Sequence, residues 1–77
     1  MKINIKYFAL FREKTGKKEE FIEGDFTSVK ELIEYLQKKY GIDTRTLMVA
    51  VNRNIVHKEM DLSEGDEVAV FPPLCGG

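Results

Sequence analysis

The sequence is short of most of the residues that carry chemistry. It has one cysteine, Cys75, so an internal disulfide has no second thiol and four-cysteine zinc schemes are excluded. A reducing compartment suits that usage. It has one histidine, His57, in IVHKEMD, which leaves no Ser/His/Asp arrangement to argue for. His57 reads as a solvent-facing strand or loop residue. No long hydrophobic run is present. The longest, YFALF, is far below the roughly 20 residues that span a bilayer, and no basic-then-apolar leader opens the chain. The expectation is a soluble, cytoplasmic protein with no membrane association. Charge of one sign is lacking too. Twelve basic residues stand against 13 acidic ones, interleaved as KKEE, KELIE and SEGDE, so no basic stripe points to nucleic acid. Length is itself scarce. A chain of 77 residues is one domain, with about 60–65% of its unfolded surface buried and little room for a deep pocket. An enzyme acting alone is disfavoured.

What is present is regular patterning. KINIKYF alternates, with Ile3, Ile5 and Tyr7 on one side and Lys2, Asn4, Lys6 and Phe8 on the other, which predicts a strand buried on one face. ALFREKTG, stopped by Gly16, reads as a single helical turn or a loop. KKEEFIEG predicts a weaker strand with Glu20 and Ile22 facing one way, Glu19 and Phe21 the other. SVKELIEYLQKKYG predicts the main helix. Ser28 and Glu31 have the spacing of a capping box, each side chain satisfying a free backbone N–H. Val29, Leu32, Ile33, Leu36 and Tyr40 share one face. Lys38 and Lys39 suit the negative end of the helix dipole, and Gly41 suits the stop. LMVAVNRNIV predicts strand, turn, strand, with Asn52, Arg53 and Asn54 as turn residues. DLSEGD is a second turn and EVAVF a last strand. One main helix on one face of one sheet is a two-layer α+β domain over residues 1–71. The helix is expected on the face of Ile3, Ile5, Val68 and Val70. Phe8, Ala69 and Phe71 then lie on the other face, with Met48 and Ala50 joining them if their strand has the right phase.

The acidic group Asp61, Glu64 and Asp66 lacks calcium-loop spacing, and Gly16, Gly24 and Gly41 do not make a phosphate loop. The tail is the remaining candidate. Pro72 and Pro73 cannot continue ladder pairing and favour a stiff polyproline spacer. Residues 72–77 reach roughly 20 Å when extended. Gly76 and Gly77 have no side chains, so they suit a channel too narrow for any Cβ.

The tail FPPLCGG closely resembles that of the small, sulfur-carrying subunit of molybdopterin synthase (the MoaD/ThiS-like family), as do GDEVAVFPP, the turn at Ala50 to Asn52 and the opening IKYFALFRE. The resemblance runs over essentially the whole chain. It implies a β-grasp, ubiquitin-like fold with a mixed sheet, and residues 72–77 as a flexible tail. It also implies a reaction. A ubiquitin-activating-type adenylating enzyme uses ATP to join the Gly77 carboxylate to AMP. A sulfur donor (a sulfurtransferase) then leaves a thiocarboxylate on Gly77. The large synthase subunit accepts the tail, and sulfur passes to precursor Z. In that scheme Gly77 carries sulfur and Gly76 gives access. Pro72 and Pro73 hold the tail clear of the sheet, and Phe71 anchors its root. Phe8, Leu74, Met48 and Ala69 complete the partner-binding set. The carrier itself binds no cofactor and no metal. Cys75 departs from the commonest tail. Either it is a tolerated variable position, or its thiol attacks an activated Gly77 or forms an acyl disulfide with the thiocarboxylate. Three other readings share the fold: a sulfur carrier for thiazole synthesis, a ubiquitin-like modifier joined through Gly77 to lysines, and an interaction module whose tail is inert.

Overall fold

The computed structural model describes residues 1–43, 45 and 47–73. Among them the chain runs β1 (Lys2–Tyr7), α1 (Leu10–Thr15), β2 (Glu19–Glu23), α2 (Val29–Tyr40), β3 (Met48–Val51), β4 (Asn54–Ile55) and β5 (Glu67–Phe71). The five strands form one sheet in the order β2-β1-β5-β3-β4. β1 and β5, first and last in the chain, are the parallel central pair, and the other neighbours are antiparallel. This mixed sheet, with its main helix across one face, has the layout expected of a β-grasp domain.

Alternation decides which face is inside. Ile3, Ile5, Tyr7, Val68 and Val70 point under α2 and are at most 1% exposed. Val29, Leu32, Ile33 and Leu36 meet them from the helix. At about 25 cal/mol per Å² of apolar surface removed from water, these side chains supply most of the fold's driving force. Ile22 of β2 joins the core while Phe21 stays 66% exposed, which settles the ambiguous strand as the period-2 pattern predicts.

Two local expectations need correction. ALFREKTG is neither a loop nor a single turn: Leu10–Thr15 is a short helix, because Phe11 is drawn into the core. The capping box is incomplete. Ser28 Oγ accepts from the Glu31 N–H as expected, but Glu31 Oε1 accepts from the N–H and hydroxyl of Thr27, one residue before the cap. Ser28 itself lies in an isolated bridge to Asp61, flanked by bonds from the Leu62 N–H to Thr27 O and from the Val29 N–H to Met60 O. Gly41 ends α2 with φ 70°, and its N–H donates to Gln37 O.

One polar cluster ties β1, β2 and α2 together. Tyr7 and Tyr40 both donate to Glu20 Oε2 at 2.5 Å, and Lys17 reaches Oε1 at 3.0 Å. Burial opposes the charge on Glu20, but the hydrogen bonds from Tyr40, Tyr7 and Lys17 outweigh it and lower its pKa. Burial, then the bond and charge of Glu20, push the Tyr7 hydroxyl well above its ordinary 10.0. A raised tyrosine pKa favours the fold below pH 10 and stops doing so as the unfolded chain ionises above it. From about pH 9 to about pH 11, wild type should therefore lose about 1.4 kcal/mol more than Tyr7→Phe. Denaturant melts at both pH values check this, and equal losses would refute it.

Candidate functional site: the outward sheet face and the root of the tail

The face of the sheet opposite α2 holds Lys2, Asn4 and Lys6 of β1, Ala69 and Phe71 of β5, and Met48 and Ala50 of β3. The register settles the uncertain phase of β3: Met48 lies opposite Phe71 and Ala50 opposite Ala69, so both share the outward side. Beyond the last paired residue of β1, the Phe8 N–H donates to Val70 O at 3.2 Å, which keeps Phe8 beside the end of β5. Phe8 is 40% exposed.

Phe8, Ala9, Ala69, Phe71 and Pro72 enclose an open, wholly apolar depression of about 420 Å³. An apolar hollow left open to water is stabilised when an apolar side chain of a partner fills it. The depression sits where β5 ends and the tail begins, so whatever docks there also meets the tail. Pro72 has a second neighbourhood. With Pro73 it borders a groove of about 250 Å³ lined by Leu10, Phe11, Lys14, Gly41, Ile42 and Asp43. The Arg45 guanidinium and backbone N–H hold the exposed Asp43 carboxyl at about 2. The two prolines thus leave the sheet along the edge formed by α1 and the residues after α2.

The expected site residues are therefore only partly brought together. Phe8, Ala69, Phe71 and Pro72 share one depression. Met48 abuts Phe71 but lines a neighbouring groove with Leu47, Val49, Val56, His57, Lys58 and Glu59. Pro73 turns toward α1. Leu74, Cys75, Gly76 and Gly77 lie outside the described residues. His57 is exposed. Sequence reasoning missed Ala9. Its backbone, at φ 53° and ψ −129°, is in a region ordinarily left to glycine, and it turns the chain from β1 into α1 while putting its methyl at the rim of the depression. Inside YFALF it reads as one more apolar residue. Arg12 was likewise unmarked. Its guanidinium lies 5.9 Å from the Phe8 ring centre, and Nε donates to Tyr7 O at 3.3 Å, which steadies Phe8 in its outward position. No helix among the described residues is long and apolar enough to cross a membrane.

Known proteins share this architecture. A molybdopterin synthase sulfur carrier subunit from Haemophilus influenzae is 32% identical, the match covering 97% of this chain and 99% of that one. A small archaeal modifier protein 3 from Haloferax volcanii is 30% identical over the full length of both. Among solved structures, a Pyrococcus furiosus protein provisionally assigned as subunit 1 of molybdopterin converting factor superposes with a TM-score of 0.85 at 34% identity, covering 96% of this chain and 99% of its own. A chain of the complex of subunits 1 and 2 of molybdopterin-converting factor from Helicobacter pylori gives a TM-score of 0.74 at 26% identity, with both chains fully covered. The β-grasp assignment follows from these superpositions. The model of the ThiS family matches residues 5–77, strands and tail alike, and the chain belongs to that family.

Proposed function

We propose that this chain is the sulfur-carrying small subunit of a molybdopterin synthase, working in the cytoplasm with partner proteins and not as an enzyme on its own. The observation that carries the reading is the apolar depression of Phe8, Ala9, Ala69, Phe71 and Pro72 at the root of the tail. The full-length likeness to a named sulfur carrier supports it. So does the likeness to a subunit solved in complex with a second one. The large synthase subunit docks on the depression, and the prolines aim residues 74–77 into its active site.

The chemistry belongs to the Gly77 carboxylate, taken as the free end of the chain. A carboxylate is a poor acyl donor because its leaving group would be oxide. An adenylating enzyme of the ubiquitin-activating type corrects this: a carboxylate oxygen attacks the α-phosphorus of ATP, pyrophosphate leaves, and the acyl-adenylate forms. Persulfide sulfur of the sulfur donor attacks the acyl carbon and AMP leaves, forming an acyl disulfide; a second thiol then attacks the donor's sulfur, which releases the thiocarboxylate and leaves a disulfide on the donor side. Within the large subunit that sulfur forms a C–S bond to precursor Z as an oxygen leaves the same carbon, and water cleaves the resulting thioester, leaving sulfur on the pterin and returning the Gly77 carboxylate. Gly76 and Gly77 pass where a Cβ would clash. The carrier needs no cofactor of its own, and ATP is consumed by the adenylating partner.

Intact mass of the chain recovered from its native host tests the reading. Sulfur in place of one carboxylate oxygen on Gly77 is expected, and a population lacking it under active cofactor synthesis would overturn the carrier role. A second reading, a protein modifier, is favoured by the Haloferax volcanii relative. It requires a branched Gly77–lysine peptide in the same sample. A carrier for thiazole synthesis would load sulfur yet fail to yield pterin product in a reconstituted reaction. An inert-tail module would bind and function without Gly76 and Gly77. Cys75 is expected to be dispensable, because the proposed chemistry runs through the Gly77 carboxylate and uses no thiol of the carrier. Cys75→Ala should form pterin product at close to the wild-type rate, and a large loss with unchanged partner binding would assign the thiol a chemical role.

A further inference from the structure

A second hollow at the root of the tail has no part in the docking reading. Pro72 and Pro73 border the groove of about 250 Å³ whose other walls are Leu10, Phe11 and Lys14 of α1 and Gly41, Ile42 and Asp43 after α2. Phe11 and Ile42 are buried core residues, whereas Leu10 is 46% exposed and lies outside the core. The groove is smaller than the roughly 300 Å³ or more of small-molecule sites, and it suits one side chain. Its two charged residues, Lys14 and Asp43, are opposite in sign, and Asp43 is already paired with Arg45 at 3.1 Å, so no net charge recommends an ion. An apolar side chain suits it, because covering Leu10 removes apolar surface from water.

The chain itself delivers such a side chain. Pro73 stands at the groove and Leu74 follows it, with its Cα about 3.8 Å further on. The approach is stiff. Phe71 and Pro72 each precede a proline and are confined to extended backbone, and both prolines have fixed φ. Pro73 ψ is therefore the first freely rotating torsion of the tail. Bringing Leu74 to the groove costs little entropy, and so short a link gives it an effective concentration on the order of millimolar there. Pro72 also lines the depression of Phe8, Ala9, Ala69 and Phe71, so the two hollows meet at one residue.

We propose that this groove is the seat of Leu74 in the free carrier, and that the tail leaves it by rotation about Pro73 ψ when a partner draws residues 74–77 away. The seat stands on the groove alone; its cost to association rests on the docking reading above. One partly covered leucine gives a modest preference. An occupancy of about four-fifths lowers the apparent affinity for the large subunit about fivefold.

Nuclear magnetic resonance of the free full chain tests the seat. Nuclear Overhauser contacts are expected from the Leu74 methyls to those of Leu10 and Ile42, with backbone nitrogen relaxation at Leu74 closer to that of β5 than to that of Gly77. Leu10→Ser takes away an apolar wall outside the core, and Leu74→Ser takes away the occupant. Each should bring the relaxation at position 74 to that of Gly77. Titration calorimetry against the large synthase subunit reads the cost: Leu10→Ser, shown folded by circular dichroism, should bind about threefold more tightly than wild type. Absent methyl contacts, with Leu74 relaxing as Gly77 does in wild type, would overturn the seat. Contacts present but unchanged affinity for folded Leu10→Ser would overturn its hold on the tail. Phe71→Ala weakens association whether or not the seat exists, so failure of the docking reading is seen separately, as wild-type affinity for that variant.

Discussion

Removing Gly77 abolishes sulfur loading and leaves the domain as stable as before. The two halves of that expectation have separate grounds. The reactive group in the proposed chemistry is the carboxylate of Gly77, and ending the chain at Gly76 moves the carboxylate one residue, about 3.5 Å, short of the catalytic groups that must reach it. Misplacement on that scale removes the gain from orienting reactants, which is worth several orders of magnitude in rate. Among the described residues, in contrast, the buried core runs from Ile3 to Val70. Unfolding free energy should change by less than about 0.5 kcal/mol, as for other substitutions outside the core. Incubation with the adenylating enzyme, ATP and a sulfur source, read by intact mass, checks the first half, and denaturant melts check the second. Normal adenylation and sulfur loading of the truncated chain would remove Gly77 from the mechanism.

Phe71→Ala weakens association with the large subunit roughly thirtyfold, corresponding to about 2 kcal/mol. Phe71 is the last residue of β5, half-buried, and it forms one wall of the depression beside Phe8 and Pro72. Truncation takes an aromatic surface from the centre of the docking face while leaving the inward neighbour Val70 in the core. Glu34 is the control. It is exposed on α2, on the opposite side of the molecule from Phe71, so Glu34→Ala should leave affinity within about twofold. Titration calorimetry measures both, with circular dichroism to show that each variant is folded. Wild-type affinity for Phe71→Ala would eliminate the depression as the docking face.

The contrast between Phe71 and Ala9 shows how far the site could be read in advance. Phe71 was legible because β5 alternates strictly: once Val68 and Val70 are assigned to the core, Ala69 and Phe71 must face away. Ala9 was not, because its unusual φ arises from joining a strand to a short helix whose Phe11 is claimed by the core. Met48 is intermediate. Its outward direction follows only from the pairing of β3 with β5, a contact between residues 23 positions apart, Met48 and Phe71.

Local patterning by itself determined the strands, the main helix with its Ser28 cap and Gly41 stop, the inward and outward sets of side chains, and a donor-poor tail. Those features depend on periods of 2 and 3.6 residues and on the conformational limits of glycine and proline, all of which act over a few residues. Tertiary structure alone decided the strand order and the parallel pairing of the first strand with the last. It also decided the capture of Glu20 by Tyr7 and Tyr40, the strained placing of Ala9, and the meeting of Phe8 with Phe71 and Pro72 in one depression. Each of these joins distant segments or trades local strain against long-range packing, and no short-range pattern encodes such a balance.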